Sequence, residues 1–208
     1  MPWRARCARC WTRRGEVRFP WTFDKEGLMS TTTAVSDNRF TRQFGAPSER
    51  AQTKVKGFLS EEIQAFIARS PFLVMATADA EGSCDASPKG GMPGFVAVLD
   101  DRHLLIPDVA GNRLFQSYLN LEQSPGVGLI FFIPGVDRTV RVNGRASMVS
   151  REDLAQRKIE MSIHNPDEDA TMLQGLLVEV QEAYGHCPRA LKFSDLWNVE
   201  TIQANQGR

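Results

Sequence analysis

The feature that most constrains the fold is a series of strand-like segments joined by turns too short to hold a crossover helix. Residues 72–77 and 84–87 flank a turn rich in Asp and Gly, and they predict one β-hairpin. Residues 95–99 and 103–107 flank a short polar turn and predict a second hairpin. Because parallel neighbouring strands need long crossovers, these hairpins exclude a parallel doubly wound sheet and predict an antiparallel one.

Three further segments extend this sheet. Residues 127–133 are apolar on both faces, as expected for a central strand. Residues 139–149 alternate over a long span, and Gly144 within them predicts a bulge where the strand bends. Residues 176–182 supply a sixth or later strand. The sequence therefore predicts a mainly β (α+β) fold, a six-stranded antiparallel barrel with flanking helices.

Helical patterns interrupt the strands at three places. Ser60 resembles an N-cap, and the apolar spacing after it predicts a helix to about Arg69. Asn112–Asn120 predicts a short helix whose apolar side carries Leu114, Phe115, Tyr118 and Leu119. Ser150 opens a third helix, which an acidic loop around 165–168 follows.

The charge balance limits the classes of partner. Lys and Arg together number 25, as do Asp and Glu, so there is no overall basic field for nucleic acid or a membrane surface. The apolar runs are far shorter than the ~20 residues that cross a bilayer. We therefore expect small-molecule partners, and neither nucleic-acid nor membrane binding. Because the four cysteines form no disulfide framework, we expect a reduced, cytoplasmic protein.

The first 28 residues differ from the rest. Met1–Leu28 contains seven Lys or Arg, three acidic residues and three of the four tryptophans, and a Ser/Thr-rich stretch follows Met29. We predict that Met29 is the natural start and that residues 1–28 are a disordered extension or upstream translation. Residues 29–58, polar and irregular, then form an N-terminal arm, 59–200 the domain, and 201–208 a tail.

Cysteines and histidines give no catalytic or metal-site pattern. Cys7 and Cys10 supply two of the four ligands of a tetrahedral zinc site, and the sequence has no second pair. His186 and Cys187 are neighbours on an extended chain, so their side chains point to opposite faces and do not form a hydrolytic dyad. The sequence predicts no metal site and identifies no catalytic residue.

Several stretches in order, spread over about residues 40–198, together resemble one known family. The stretches are Ser70–Thr77, Asp85–Gly90 with Pro93–Val96, Leu105–Asp108 with Gly111–Arg113, Ser124–Leu129, Thr139–Ala146, and Cys187–Lys192 with Trp197. They are similar to the strands, helix start and C-terminal segment of the pyridoxamine-phosphate-oxidase-like split barrels. This resemblance implies a split β-barrel that binds FMN between two identical subunits.

The resemblance also implies which residues contact the cofactor. They are Asp85, Ser87, Lys89, Pro107, Asn112, Arg113, Arg141 and Trp197. Lys89 and Arg113 offer the cations that a flavin phosphate needs, with Arg113 near a helix start. Arg141 would reach the cofactor edge, unless it lies on the outer face of its strand. Trp197 would cover the flavin ring from the partner subunit, or else pack in a dimer interface.

The function implied is that of an FMN-dependent oxidoreductase, a homodimer with NAD(P)H among its candidate electron donors. The C-terminal segment offers Arg189 and Lys192 but not the usual C-terminal pattern of true pyridoxamine-phosphate oxidases, so the substrate is undefined. The alternative is a non-catalytic flavin-binding or haem-binding split barrel, since relatives also use deazaflavin or haem. Haem would take an axial ligand from His103, His164 or Cys187.

Overall fold

One antiparallel sheet dominates the computed structural model of the protein. The model describes residues 38–109, 114–156, 159 and 172–206. The strands are β1 Phe72–Ala78, β2 Cys84–Gly90, β3 Ala97–Val98, β4 His103–Val109, β5 Gly126–Phe132, β6 Val140–Ser150 and β7 Met172–Gly185. The helices are α1 Arg39–Phe44, α2 Glu49–Thr53, α3 Glu61–Ile67, α4 Gln116–Gln123, α5 Arg151–Gln156, α6 Arg189–Phe193 and α7 Val199–Gln206.

Several sequence predictions fall outside the described residues. They concern the extension 1–28 with the start at Met29, the Cys7–Cys10 pair, Asn112 and Arg113, His164 and the acidic loop 165–168.

The strands follow the order β2-β1-β5-β6-β7-β4-β3, and every neighbouring pair is antiparallel. The fold is a split β-barrel with flanking helices, which confirms the predicted fold class. The sheet has seven strands rather than six, because all seven strand-like segments of the sequence pair within it. Among the described strands, β2 and β3 form the two edges.

The core lies against one face of this sheet. β5 is central, between β1 and β6, and its residues Val127, Leu129 and Phe131 are buried on that face. Leu73 of β1 pairs with Phe131 and is also fully buried. The period-two alternation of strands thus produces one continuous apolar layer.

The predicted bulge at Gly144 is confirmed. The pairing of β6 with β7 changes register between Asn143 and Gly144. A bulge inserts an extra residue into one strand and increases its local twist, so β6 bends there as the sheet curves.

The helices differ from the prediction in the arm and at the start of α4, and Ser60 caps α3 only by its position. The arm is not wholly irregular, because the side chains of Asn38 and Ser48 accept backbone hydrogen bonds and cap α1 and α2. Ser60 occupies the N-cap of α3, yet its side chain makes no capping hydrogen bond. The predicted helix Asn112–Asn120 begins only at Gln116, since Phe115 has φ 53° and leaves the helical region.

This late start changes the buried face of α4. Tyr118 and Leu121, three residues apart, point into the core together with Ser117. Leu114 and Leu119, both predicted on the apolar side, are 62% and 54% exposed. No helix within the described ranges is long and apolar enough to cross a membrane.

Candidate functional site

A pocket of about 270 Å³ lies where β2, the end of β4 and the start of α4 meet. β2 contributes residues 85–89, β4 contributes Asp108 and Val109, and the α4 region contributes residues 114–118. Leu173 of β7 completes the described wall. The pocket thus gathers side chains from strands and a helix that are far apart in the chain.

The polar wall of the pocket is one face of the edge strand β2. Asp85, Ser87 and Lys89 alternate along β2 and pair directly with Thr77, Met75 and Leu73 of β1. Because directly opposed residues of antiparallel strands share a face, these three side chains lie on the core side of the sheet. At the sheet edge that side opens into the pocket, so charged and hydroxyl groups line it where the apolar core ends.

Lys89 is held by an aromatic hydroxyl of α4. Its Nζ donates to Tyr118 Oη at 3.4 Å and lies 5.2 Å from the centre of the same ring. Burial, together with a hydrogen bond to Asp108, raises the pKa of Tyr118 well above its usual value. Tyr118 therefore stays protonated near neutral pH, donating to Asp108 while accepting from Lys89.

Both carboxylates of the pocket are hydrogen-bonded. Ser117 Oγ donates to Asp85 Oδ2. Asp108, only 5% exposed, also accepts from Gln174 Nε2 at 3.2 Å. The described part of the pocket thus contains two carboxylates, which accept hydrogen bonds, and one cation, the ammonium group of Lys89.

A partly exposed aromatic side chain lines the pocket. Phe115 is 40% exposed, and its ring meets that of Tyr118 edge to face, with the centroids 6.1 Å apart. Its left-handed backbone, rare for a non-glycine residue, has the kind of strain that clusters at ligand sites. The pocket therefore combines an apolar aromatic surface with polar side chains.

The pocket brings together three of the residues expected at the cofactor: Asp85, Ser87 and Lys89 line it. Asn112 and Arg113 lie outside the described residues, although Val109 and Leu114, which flank residues 110–113, both line the pocket. Pro107 is buried in β4 and is not among the lining residues, whereas the next residue, Asp108, is.

Arg141 lies on the opposite face of the sheet from Lys89. It pairs with Ile130 of β5, Ile130 pairs with Val74 of β1, and Val74 pairs with Pro88. Arg141 therefore shares a face with Pro88, and not with its neighbours Ser87 and Lys89. Its guanidinium donates to Tyr184 Oη at 2.9 Å.

Trp197, the other distant residue, bonds to its own chain away from the pocket lining. Its indole N–H donates to the carbonyl of Val136, in the β5–β6 turn, at 3.2 Å. The contact between Trp197 and a flavin held by a partner subunit stays a prediction.

Sequence reasoning missed several pocket residues, namely Asp108, Phe115, Gln116, Ser117, Tyr118 and Leu173. Asp108 had a usable signal, because an acid at the end of an otherwise apolar strand is costly to bury without a function or a partner. For Tyr118 the pattern correctly indicated burial, but not that its hydroxyl meets a lysine from another strand.

The described pocket contains no histidine or cysteine. His103 hydrogen-bonds Asp100 in the β3–β4 turn, and Cys187 is exposed beyond β7. Of the three axial ligands suggested for haem, these two are thus outside the pocket lining, and His164 is outside the described residues.

The family model for pyridoxamine 5'-phosphate oxidase matches residues 59–187, more than half of the chain and including every described strand. No curated protein matches the chain.

Several solved structures are similar to this chain at low sequence identity. An FMN-binding protein from Syntrophomonas wolfei subsp. wolfei is 12% identical, with a TM-score of 0.47 over 62% of this chain and 86% of that one. HupZ from Group A Streptococcus is 16% identical, with a TM-score of 0.43 over 61% and 92%. A pyridoxamine 5'-phosphate oxidase-related, FMN binding protein from Nostoc punctiforme is 16% identical, with a TM-score of 0.40 over 55% and 73%.

Proposed function

The chain belongs to the pyridoxamine 5'-phosphate oxidase family, and on this premise we propose that it is an FMN-dependent oxidoreductase whose pocket between β2, β4 and α4 holds the ribityl phosphate of the cofactor. The observation that carries the proposal is the ammonium group of Lys89, half-buried on the core face of β2 and positioned by Tyr118. An ammonium group in a partly enclosed pocket attracts a phosphate dianion strongly, because the local dielectric is lower than in water.

The donors and acceptors of the pocket suit the two parts of this ligand. Lys89 and Ser87 offer donors to the phosphate, and Arg113 would add a second cation from the adjacent residues 110–113. The carboxylates of Asp85 and Asp108 accept hydrogen bonds, which suits the hydroxyl groups of the ribityl chain. The partly exposed ring of Phe115 would present an apolar face to the flavin ring.

The pocket volume supports a site shared between two copies. At about 270 Å³ the pocket is slightly smaller than the ~300–1,000 Å³ typical of sites that enclose a whole ligand. The described walls thus suit part of the cofactor, and a second copy of the chain would cover the flavin ring in a homodimer. Trp197 is the residue of the second copy that we propose for this contact.

Bound FMN would supply the redox step by transferring a hydride or electrons. The chain supplies position and electrostatics: Lys89 offsets part of the phosphate charge, and Tyr118 keeps Lys89 in place. Since the hydroxyl of Tyr118 stays protonated near neutral pH, it acts as a hydrogen-bond donor and not as a base. The substrate is a small molecule, with NADH or NADPH as the proposed electron donor.

The test begins with the absorbance spectrum of the purified full-length chain, with and without added FMN. We expect a flavin spectrum and, after NADH or NADPH is added without oxygen, bleaching of the flavin band. If the protein binds FMN but the bound flavin undergoes no catalytic cycle of reduction and reoxidation, the protein is a flavin carrier. That result would contradict the oxidoreductase proposal. Titration with haem and with a deazaflavin separates the other cofactors, since each has its own absorbance.

The site itself is tested with Lys89→Gln, and Lys56→Gln serves as the control because Lys56 is an exposed lysine stacked on Phe58, outside the pocket lining. We expect Lys89→Gln to weaken FMN binding about ten- to a hundredfold, as for one charge-assisted hydrogen bond. Lys56→Gln is expected to bind like the unmodified protein. Equal FMN affinity in the two variants would mean that the FMN phosphate does not bind at Lys89.

A further inference from the structure

Two cations meet at one tyrosine on the face of the sheet opposite the pocket. Arg141 of β6 pairs with Tyr184 of β7, and its Nη1 donates to the Tyr184 hydroxyl at 2.9 Å. Lys54 Nζ lies 4.8 Å from the centre of the Tyr184 ring. The His186 ring is tilted against the same tyrosine, with its centroid 4.9 Å from that of Tyr184. We call Lys54, Arg141, Tyr184 and His186 the Tyr184 cluster.

Backbone pairing holds this cluster together. Lys56 exchanges two hydrogen bonds with Ala183, of 3.2 and 2.7 Å, so the chain leaving α2 is tied to the edge of β7 and carries Lys54 to Tyr184. The His186 N–H donates to the Thr139 carbonyl at 2.8 Å, which extends the β6–β7 ladder by one residue. The sheet therefore fixes the backbone of Arg141, Tyr184 and His186, and the Lys56–Ala183 pairing brings the exposed Lys54 side chain within reach of them.

The charge of the cluster is unbalanced. No described carboxylate forms an ion pair with Arg141 or Lys54. Glu182, two residues before Tyr184 on the same strand, accepts a hydrogen bond from Asn143 at 3.1 Å. Two cations thus meet around one aromatic ring without an anion from the described part of the chain.

An unsatisfied atom lies in the same place. His186 Nε2 is buried and has no hydrogen-bond partner among the described residues. Buried polar atoms nearly always have a partner, so an orphaned one in a native fold points to an absent ligand or water. Beside two unpaired cations, the partner that best satisfies this nitrogen is an anion.

We propose that the Tyr184 cluster binds an oxyanion, the phosphate or carboxylate group of a small molecule, between Arg141, Lys54 and Nε2 of His186. The guanidinium of Arg141 keeps donors free beyond the one used for Tyr184, and these match the paired oxygens of either group. Lys54 adds a mobile point charge from the exposed side. His186 donates from Nε2, either as the neutral tautomer protonated there or as the imidazolium.

The electrostatics of His186 supply a readout for this site. Burial, together with the charges of Arg141 and Lys54, lowers the pKa of His186 below its usual value. The groups facing it are those two cations and Tyr184, with Glu182 further along the strand. A bound anion reverses their effect, because it favours the imidazolium, so binding raises this pKa.

The site is separate from the proposed cofactor pocket and does not rest on it. Arg141 and Lys89 lie on opposite faces of the sheet. The two proposals therefore fail independently: lack of FMN binding leaves the oxyanion site intact, and lack of oxyanion binding leaves the flavin site intact.

The experiment follows the imidazole resonances of the full chain by NMR while inorganic phosphate, or separately acetate, is added. His186→Gln assigns the His186 signal. We expect at least one of the two anions to raise the pKa of His186, with an effect that saturates as the anion is added. The anion that binds more tightly identifies the ligand class. Arg141→Gln is expected to weaken that binding about ten- to a hundredfold, as for a lost charge-assisted hydrogen bond, and Lys54→Gln to weaken it less.

Two controls keep the outcome unambiguous. Lys89→Gln, in the other pocket, is expected to bind the anion like the unmodified protein, and Arg141→Lys keeps the charge if Arg141→Gln folds poorly. The proposal is wrong if neither anion moves the His186 resonance at high millimolar concentration, or if a folded Arg141→Gln variant binds the anion unchanged. Where Arg141→Gln does not fold, unchanged binding in both Arg141→Lys and Lys54→Gln overturns the proposal. It is equally wrong if saturating FMN abolishes anion binding, since the cluster would then belong to the flavin site.

Discussion

The bulge at Gly144 gives the sharpest stability prediction, because Gly144 is packed against the backbone of the neighbouring strand. A Cβ added to Gly144 would lie far inside van der Waals contact with the carbonyl oxygen of Glu179, 3.0 Å from its carbonyl carbon and 3.3 Å from Cγ1 of Val178. Since the obstacle is main chain within the β6–β7 ladder, no side-chain rotation relieves it, and the two strands must separate locally.

The expected cost of Gly144→Ala is at the upper end of the overpacking range, about 3 kcal/mol. Gly126→Ala is the matched control: Gly126 lies on the adjacent strand, one residue from the partner of Gly144, and a Cβ there meets nothing within 4 Å. The control is expected to change stability by less than ~1 kcal/mol, since it mainly reduces the freedom of the unfolded chain.

Urea denaturation followed by circular dichroism measures both variants. With an m-value of about 2 kcal/mol/M, a loss of 3 kcal/mol lowers the midpoint by about 1.5 M. We expect that shift for Gly144→Ala and almost none for Gly126→Ala. Equal midpoints for the two variants would mean that Gly144 is not pressed against Glu179, and the register shift between β6 and β7 would be wrong.

Two further predictions concern hydrogen-bonded side chains. Tyr118→Phe removes the hydroxyl between Lys89 and Asp108, so FMN affinity measured by flavin fluorescence is expected to fall about three- to tenfold, and an unchanged affinity would refute the positioning role. His103→Gln removes the ion pair between His103 and Asp100. In this pair the hydrogen bond to Asp100 raises the pKa of His103, and burial offsets only part of that rise. The stabilisation from this raised pKa is complete below about pH 6.5 and is lost as the pH rises through the folded pKa. Urea denaturation should therefore give His103→Gln a free energy of unfolding about 0.5–1 kcal/mol below that of the unmodified protein near pH 6, and a smaller difference towards pH 8. A deficit that grows with pH would contradict it.

The sequence itself determined the strands, their antiparallel pairing and the bulge, because these depend on local patterns. Alternation with period two and short turns identified the β1–β2 and β3–β4 hairpins, and a lone glycine in a long strand marked the bend at Gly144. Asp85, Ser87 and Lys89 were expected at the cofactor because their segment resembles that of a known family. The structure extends β2 through Lys89 and shows that the three residues share one face of the strand.

Only the tertiary structure decided which face became the pocket and what else reached it. Alternation divides a strand into two faces but does not say which face meets the core. Arg141 was therefore expected at the cofactor, whereas its register with Ile130 puts it on the face opposite Lys89. Asp108 and Tyr118 come from β4 and α4, and their contacts with each other and with Lys89 exist only once the sheet has closed. Such contacts between distant segments depend on strand order and helix register, which no local pattern carries.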